Sequence, residues 1–292
     1  MKKPNTFIIG APKCGTTSLA AWLDQHPDVF MSKPKEPHFF NTDSSHHHCV
    51  DLADYESLFQ GSSSHKVVGE ASVWYLVSDV AVRNILEYSP DAKFIVCLRN
   101  PVDACISLHD QKMFSGGENT ANFLEAWHMQ DARRSGQVKL PATCTDVKQL
   151  MYGESCRFGY LVGRVVKAVE DEKLHLVFLQ DLKHDPLAQM RRLERFLDIK
   201  AFPFYDFMLV NPSKVRKSMV LARLHRLAAL TKQKLRINFG VGLMARLNKW
   251  NQVERKREDI DLETREMLIA YFESDIREIE KLAGRDLSDW LI

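Results

Sequence analysis

The segment that most restricts the fold of this chain lies near its N-terminus, where a short apolar run leads through a glycine-containing loop into hydroxyl residues. Thr6–Gly10 is rich in β-forming side chains, and residues 10–18 read GAPKCGTTS. A strand that passes through such a loop into a helix N-terminus points several backbone N–H groups and the positive end of the helix dipole at one spot. The segment therefore predicts an anion-binding loop between a buried strand and a helix over residues 16–25.

The position of its lysine distinguishes this loop from the loop that binds nucleoside triphosphates. Gly10 and Gly15 have the spacing of G-x-x-x-x-G-K-[ST], but Thr16 stands in the lysine position and Lys13 precedes the second glycine. Lys13 therefore enters the loop from the strand side. This placement argues against a kinase driven by a nucleoside triphosphate. A glycine-rich turn with an incidental lysine is the alternative to a functional anion site.

The rest of the chain alternates apolar strands with amphipathic helices. Further strands are predicted over residues 66–69, Lys93–Leu98 and 174–179, and helices over residues 77–88, from Pro101 onward, over 185–197 and over Leu262–Ala283. Continuous apolar strands separated by helices predict an α/β fold with a central, mainly parallel sheet flanked by helices. We expect a single domain over residues 1–292, with an excursion at the active-site mouth over residues 114–152 and a basic region over residues 211–256.

Composition and cysteine usage restrict the classes of binding partner and the cellular compartment that we expect for this chain. Forty Lys and Arg against 38 Asp and Glu give a formal net charge of +2, so nothing global favours nucleic acid or an anionic membrane. No apolar run reaches the roughly 20 residues of a membrane span, and no signal-peptide pattern is present. The six cysteines are scattered without C-x-x-C pairs, which predicts free thiols and no zinc. We expect a cytoplasmic protein of undetermined oligomeric state.

The PKCGTTSL segment after an apolar strand resembles the 5′-phosphosulfate loop of the sulfotransferases that use 3′-phosphoadenosine-5′-phosphosulfate (PAPS). It is most similar to the branch of the heparan sulfate sulfotransferases and many bacterial relatives. The resemblance implies a P-loop-like sulfotransferase fold, PAPS as the donor and the desulfated nucleotide PAP as a product. It also implies that Lys13 contacts the 5′-phosphate and the bridging oxygen. The residues that would hold the rest of the phosphosulfate are Cys14, Gly15, Thr16, Thr17 and Ser18.

A second phosphate site is indicated after the strand Lys93–Leu98. The same family places an arginine at the end of a central strand and a serine eight residues later, and Arg99 and Ser107 stand at that spacing. An arginine at the carboxyl end of a parallel strand lies where doubly wound sheets bind ligands, and its planar fork can take two phosphate oxygens. The resemblance thus implies that Arg99 and Ser107 bind the 3′-phosphate.

A basic segment over residues 214–218 is similar to the loop that wraps the nucleotide in the heparan sulfate enzymes. Lys214, Arg216 and Lys217 are candidate phosphate ligands there, and a solvated basic face is the alternative. Tyr152, Arg157 and Tyr160 resemble a family stretch that borders the acceptor pocket.

The segment KEPHFF at residues 35–40 resembles the place where the heparan sulfate enzymes and related bacterial enzymes keep a catalytic glutamate. The resemblance implies that Glu36 is the general base and that Lys13 is the cation that stabilises charge on the leaving phosphate. Because the neighbouring residues 37, 39 and 40 are apolar, we expect the pKa of Glu36 to rise towards the working pH. His38 orients the acceptor or serves as the base itself, and the sequence leaves both roles open.

At residues 70–72 the chain reads Glu-Ala-Ser, where related saccharide enzymes often have Glu-Lys-Thr. Ala71 removes a cation near the acceptor, which argues against a heavily sulfated polysaccharide.

The motifs together predict a sulfotransferase. It would move the sulfuryl group of PAPS by in-line displacement to a hydroxyl or amine of a small-molecule or saccharide acceptor, such as a bacterial secondary metabolite. Protein cations and amides would stabilise the charge, so we expect no metal. The alternatives are a nucleotide-dependent small-molecule kinase and a non-catalytic nucleotide-binding module.

Overall fold

The computed structural model describes residues 1–49, 51–208, 214–216, 252–254 and 260–292 of the chain. The chain groups into two compact units. The first comprises Met1–Ala104, Cys156–Asn211 and Ile269–Ile292, and the second comprises Cys105–Ser155 and Pro212–Leu268.

A five-stranded sheet forms the core of the first unit. Its strands are β1 (Thr6–Gly10), β2 (Val29–Met31), β3 (Val67–Ala71), β4 (Lys93–Leu98) and β5 (Leu174–Phe178). They lie in the order β2-β3-β1-β4-β5, and every pair is parallel. The parallel sheet predicted from the apolar runs is confirmed. Because β1 pairs with β3 on one side and with β4 on the other, the segments that follow these three strands leave the sheet at one edge.

Helices alternate with these strands, since a parallel pair needs a crossover connection. In chain order, the α-helices within the described residues are α1 (Thr16–Leu23), α2 (Leu52–Ser57), α3 (Ala81–Tyr88), α4 (Pro101–Ser115), α5 (Phe123–His128), α6 (Gln130–Arg134), α7 (Tyr152–Ser155), α8 (Phe158–Val166), α9 (Leu179–His184), α10 (Pro186–Leu197) and α11 (Leu262–Ala283). Within the described ranges, no helix combines the length and the apolar character that a membrane crossing requires.

The clearest differences from the expected elements concern α3, β3 and β2. The helix predicted over residues 77–88 begins at Ala81, because the Ser78 hydroxyl accepts hydrogen bonds from the N–H groups of Val80 and Ala81 and holds the preceding turn outside the helix. Strand β3 continues to Ala71, so Glu70 lies inside the sheet. Strand β2 was not predicted, since three residues give too little periodicity to recognise.

The second unit contains a buried ion pair between Glu118 and Arg133. Two guanidinium nitrogens donate to the two carboxylate oxygens at 2.7 and 2.8 Å, and the Tyr152 hydroxyl donates to the same carboxylate at 2.7 Å. Burial acts to raise the pKa of Glu118, but its hydrogen bonds, above all those from Arg133, hold it below the ordinary value. The stretch predicted as an excursion therefore includes ordered short helices and a buried polar network.

The same unit contains an antiparallel pair of short strands, β6 (Lys214–Arg216) and β7 (Gln252–Glu254).

In the first unit, helices α8 and α11 approach each other closely at Gly159. The Asp275 carboxylate accepts hydrogen bonds from the N–H groups of Gly159 and Tyr160 at 2.8 and 2.9 Å, which satisfies two donors at the start of α8. A Cβ on Gly159 would lie 2.3 Å from the Asp275 carbonyl oxygen and 2.9 Å from Glu278 Cβ. The contact leaves room for glycine only.

Replacement of Gly159 by alanine is expected to lower the free energy of unfolding by about 1–3 kcal/mol, because the new methyl group forces two helices apart. Gly163→Ala on the same helix is the matched control, since its Cβ would meet only Leu282 Cδ1 at an ordinary 3.9 Å. We expect that control to be neutral or stabilising. Urea unfolding followed by circular dichroism measures both variants, and equal midpoints would contradict the packing described.

Candidate active site

The loop over residues 10–18 leaves β1 at the carboxyl edge of the sheet and enters α1. Its start is tied to β4, because the N–H of Ala11 donates to the Cys97 carbonyl at 2.8 Å. Gly15 precedes α1 with a φ of 87°, in the left-handed region that favours glycine. A Cβ there would also lie 2.7 Å from Leu179 Cδ1. The loop thus has the strand–turn–helix form that was predicted.

The loop side chains differ in accessibility. Cys14 is fully buried, and its thiol and N–H both bond within the loop, to the carbonyls of Pro12 and Ala11. Thr16 is also buried. The half-buried side chains, which solvent can reach, are Lys13, Thr17 and Ser18.

Two cations lie close to the buried Cys14 thiol. Burial raises the pKa of this thiol strongly and the nearby Cys97 adds to the effect, while Arg99 and Lys13 both act to lower it. Lys13 comes from the loop after β1, and Arg99 comes from the loop after β4. The first unit therefore gathers positive charge at the edge of the sheet where an anion would meet the N-terminus of α1.

Lys35 is a further cation of this edge, and the sequence reasoning did not select it. Its Nζ donates to Thr16 Oγ1 at 3.3 Å and to Glu36 Oε1 at 3.0 Å. The Lys35 side chain is only about a quarter exposed. It therefore bridges the anion loop and the candidate base. The one feature of the sequence that could have identified Lys35 is its position directly before Glu36.

Glu36 and His38 form the candidate proton-transfer pair. His38 Nε2 lies 3.5 Å from Glu36 Oε2, with the His38 side chain fully buried and the Glu36 side chain 32% exposed. Burial lowers the pKa of His38, and the neighbouring Glu36 only partly offsets this, so the imidazole is neutral at neutral pH.

The expectation that the pKa of Glu36 rises is wrong. Burial acts in that direction, but the interaction with His38 and the charge of Lys35 hold the pKa well below its ordinary value. The apolar residues that follow Glu36 were the wrong neighbours to consider, because the residues that surround its carboxylate are polar. Glu36 is therefore a carboxylate throughout the neutral range.

The candidate catalytic residues share an uncommon backbone conformation. Lys13, Glu36 and His38 have positive φ values of 65°, 66° and 48°. Among the residues that the structure describes, Asp198 is the one other non-glycine residue with a positive φ. Such conformations concentrate at functional sites, where the surrounding structure over-determines them. Glu36 is therefore not in the extended conformation expected for a residue before proline.

The loop that carries three consecutive histidines packs beside His38. The rings of His46 and His48 lie 4.8 and 5.7 Å from the His38 ring, and the Glu36 carbonyl contacts His48 Nδ1. His48 is exposed, whereas His46 and His47 are half-buried. No group of three or more potential ligands in the described part of the chain is arranged to hold a metal ion.

The remaining predicted ligands are placed as follows. Arg99 is partly exposed and donates to Asp103 at 3.3 Å. Ser107 is buried in α4, in the stretch that belongs to the second unit, and its pairing with Arg99 at one phosphate stays a prediction. Lys214 and Arg216 lie in β6, whose backbone alone is described, and Lys217 lies outside the described residues.

A family model described as the sulfotransferase domain matches residues 3–284. The chain belongs to the sulfotransferase domain family. This sulfotransferase domain is 38% identical over 112 residues to heparan sulfate glucosamine 3-O-sulfotransferase 6 of Mus musculus, a match that covers 38% of the chain and 31% of the mouse protein. It is 25% identical over 226 residues to bifunctional heparan sulfate N-deacetylase/N-sulfotransferase 1 of Caenorhabditis briggsae, covering 72% of the chain and 24% of that protein. The matches thus span less than a third of these relatives.

Two solved structures share the fold of this sulfotransferase domain. The crystal structure of a sulfotransferase from Alicyclobacillus acidocaldarius aligns with a TM-score of 0.73 at 24% identity, with 99% of both chains covered. The sulfotransferase domain from the curacin biosynthetic pathway aligns with a TM-score of 0.50 at 15% identity, covering 98% of this chain and 100% of that one. The sulfotransferase fold predicted from the loop is confirmed.

Proposed function

We propose that this chain transfers a sulfuryl group from PAPS to a hydroxyl or amine of a small-molecule or saccharide acceptor. The observation that carries the proposal is the position of Lys35, whose Nζ lies 3.3 Å from Thr16 Oγ1 and 3.0 Å from Glu36 Oε1. One ammonium group thus joins a loop suited to a phosphosulfate to a carboxylate that is ionised at neutral pH. Membership of the sulfotransferase domain family supports the same chemistry.

The proposed reaction is an in-line displacement at sulfur. The acceptor oxygen or nitrogen forms a bond to the sulfur while the bond from sulfur to the bridging oxygen breaks. The electron pair of the broken bond stays on the 5′-phosphate of PAP, and the acceptor proton passes to the Glu36 carboxylate. Lys13 stabilises the charge that develops on the bridging oxygen, since a fixed cation contributes most where charge grows in the transition state.

We assign the role of base to Glu36 rather than to His38. The Glu36 side chain is 32% exposed and ionised, so that an acceptor can reach a carboxylate ready to take a proton. The His38 side chain has no exposed surface, and its Nε2 faces Glu36. His38 therefore orients the carboxylate in this proposal.

The nucleotide would be held at its two phosphorylated ends. The N–H groups at the start of α1, with the hydroxyls of Thr16, Thr17 and Ser18, suit the 5′ end. Arg99 suits the 3′-phosphate, because its side chain is partly exposed beyond the end of β4 and a guanidinium can bind two phosphate oxygens.

The acceptor we propose is a sugar, a bacterial secondary metabolite or a lipid-linked precursor. The Ala71 carbonyl accepts a hydrogen bond from the Glu36 N–H at 3.0 Å, so the position where related enzymes often have lysine adjoins the base. A small alanine side chain there favours an acceptor of low negative charge. A sugar hydroxyl is supported by the name of the mouse relative, a glucosamine 3-O-sulfotransferase. A cytoplasmic site of action is supported by the six cysteines, which are thiols rather than disulfides.

The test of the function is binding of PAP followed by transfer from labelled PAPS. Calorimetry on the full chain should detect binding of PAP. Incubation with labelled PAPS and a panel of hydroxylated and amine compounds should yield a labelled product. A folded protein that binds neither PAP nor PAPS would rule the proposal out. Binding of PAP without transfer to any acceptor in a broad panel would favour a non-catalytic nucleotide-binding module.

Replacement of Arg99 by alanine is expected to weaken PAP binding roughly ten- to a hundredfold, because a hydrogen-bonded charge pair is lost. Binding of adenosine 5′-phosphate, which lacks the 3′-phosphate, should change little. Arg83→Ala is the control, since the Arg83 side chain is 67% exposed and pairs only loosely with Glu87. Equal losses for both nucleotides in calorimetric titrations would show that Arg99 does not bind the 3′-phosphate.

A further inference from the structure

A fully buried carboxylate lies behind the candidate base. Glu70 is near the end of β3 with no exposed surface, and three hydroxyl groups donate hydrogen bonds to it. Tyr55 and Tyr75 donate to Oε1 at 3.1 and 2.9 Å, and Ser72 donates to Oε2 at 2.8 Å. The tyrosines come from α2 and from the turn after β3. The network therefore joins separate elements around one side chain.

Two of these hydroxyls also hold the segment that carries the base. Ser72 Oγ accepts a hydrogen bond from the N–H of His38 at 3.1 Å. The Tyr75 hydroxyl accepts hydrogen bonds from the N–H groups of Phe39 and Phe40 at 2.9 and 3.3 Å. Three consecutive backbone donors after Glu36 are thus bound by hydroxyl oxygens whose protons point at Glu70.

The proton count of this network favours an ionised Glu70. A serine or tyrosine hydroxyl has one proton to donate and oxygen lone pairs that accept. When Glu70 is ionised, Ser72 and Tyr75 donate to it and keep their lone pairs for the amides of residues 38–40. When Glu70 is protonated, its own hydroxyl must donate to one of them, and the displaced hydroxyl proton then competes with the amides of residues 38–40 for the remaining oxygen lone pairs. An unsatisfied buried donor costs free energy.

We propose that Glu70 is a positioning residue for sulfuryl transfer, which in its ionised form holds the Glu36–His38 segment in catalytic geometry through Ser72 and Tyr75. The inference rests on the proposed function. Glu70 contacts neither substrate in this proposal, and it acts through the backbone of the segment that carries Glu36.

The titration of Glu70 falls in the working range of an enzyme. Burial raises the pKa of Glu70 to about 7, against the hydrogen bonds from Ser72, Tyr75 and Tyr55 and the charge of Lys35, which lower it. Below that pH the protonated form predominates and the segment is less well held, so activity should fall as the pH drops through 7. Three other titratable groups face this network. The pKa of Cys49 is raised to about 11 by burial and by Glu70, the ring of Tyr88 packs edge-on against Tyr55, and the ring of His38 packs edge-on against Tyr75.

Replacement of Glu70 by glutamine is the direct test. We expect kcat to fall about ten- to a hundredfold, as a small misplacement of a catalytic group does, while KM for PAPS and the Kd of PAP stay within about twofold. In the wild type, kcat/KM should fall as the pH drops through 7, and this acidic limb of the pH profile should disappear in the variant. A variant that keeps this limb would overturn the proposal.

Tyr55→Phe is the matched variant, because it removes one donor to Glu70 without removing any hydrogen bond to the amides of residues 38–40. Loss of a hydrogen bond that lowers the pKa of Glu70 should shift the limb to higher pH, while kcat above the limb stays within about threefold of the wild type. An unmoved limb would contradict the assignment to Glu70.

Hydrogen exchange of the His38, Phe39 and Phe40 amides is a readout that does not depend on turnover. At one fixed pH above 7, these amides should exchange faster in Glu70→Gln than in the wild type, and unchanged exchange would overturn the proposal. Ser72→Ala serves if Glu70→Gln does not fold, with faster exchange expected at His38. Failure of the wild type to bind PAP would reject the proposed function alone, since the exchange experiment still decides whether Glu70 holds the segment.

Discussion

Replacement of Lys13 by alanine is expected to lower kcat about 10²- to 10³-fold, the usual cost of removing one group that stabilises transition-state charge. PAP binding should weaken only about tenfold. Lys13 still contacts the charged 5′-phosphate of PAP, but its largest contribution is made in the transition state, while the bond to sulfur breaks. The half-buried Lys13 stands in the loop between β1 and α1 with a φ of 65°, which fixes where its side chain begins. Steady-state transfer from labelled PAPS, with calorimetry of PAP, measures both quantities.

Lys33→Ala is the control for this variant. The Lys33 side chain is 79% exposed and pairs with the half-buried Asp24 at 2.7 Å, and surface pairs of this kind contribute about 0–1 kcal/mol. Its kcat should equal that of the wild type. Lys13→Arg should recover more of the PAP affinity than of the turnover, because a planar fork cannot take the place of a compact ammonium. A Lys13→Ala enzyme with wild-type kcat would remove Lys13 from the chemistry.

Much of the first unit was predictable from local patterns. Strands β1 and β4 and helix α11 lie where the sequence predicted them, because the two strands are continuous apolar runs that the sheet buries and the helix is long enough to show a helical period. The short strand β2 carried no such signal, and its place at the edge of the sheet depends on pairing with β3. Helix α3 begins at Ala81 because of one serine hydroxyl, a contact that a pattern of hydrophobicity does not contain.

The sequence selected candidate site residues, whose roles stay predictions, but it did not give the electrostatics around them. Lys13, Glu36 and Arg99 were selected from motifs, and the structure places all three in the first unit. The pKa of Glu36 was assigned the wrong direction, because it depends on the contact with His38 and on where the Lys35 ammonium points. The same ammonium also reaches Thr16, 19 residues away in sequence. Sequence neighbours alone do not determine such a contact.

The role of Glu70 was beyond the sequence for a similar reason. Glu70 was noted only for the alanine that follows it, since its partners Tyr55 and Tyr75 lie 15 and 5 residues away in sequence. The burial that raises its pKa results from the packing of several elements, and no local pattern reports that packing.

Replacement of Glu36 by glutamine is expected to lower kcat about 10²- to 10⁴-fold, the usual contribution of a general base. PAP affinity should stay within about twofold, because the carboxylate meets the acceptor proton and not the nucleotide. Glu87→Gln is the control, since the Glu87 side chain is 71% exposed on α3. If His38 were the base, His38→Ala would cost more turnover than Glu36→Gln, and transfer assays on the two variants decide between them.

The pH dependence of the residual activity then distinguishes the two carboxylates. The pKa of Glu36 lies well below its ordinary value, so in the free enzyme this group stays ionised as the pH falls from about 8 to about 5. Burial raises the pKa of Glu70 to about 7, so the loss of kcat/KM across that interval belongs to Glu70. Glu36→Gln should therefore keep the neutral limb on its much lower activity, whereas Glu70→Gln should lose it. A Glu36→Gln enzyme whose activity no longer changes near pH 7 would reverse these assignments, because the titrating group would then be the base itself.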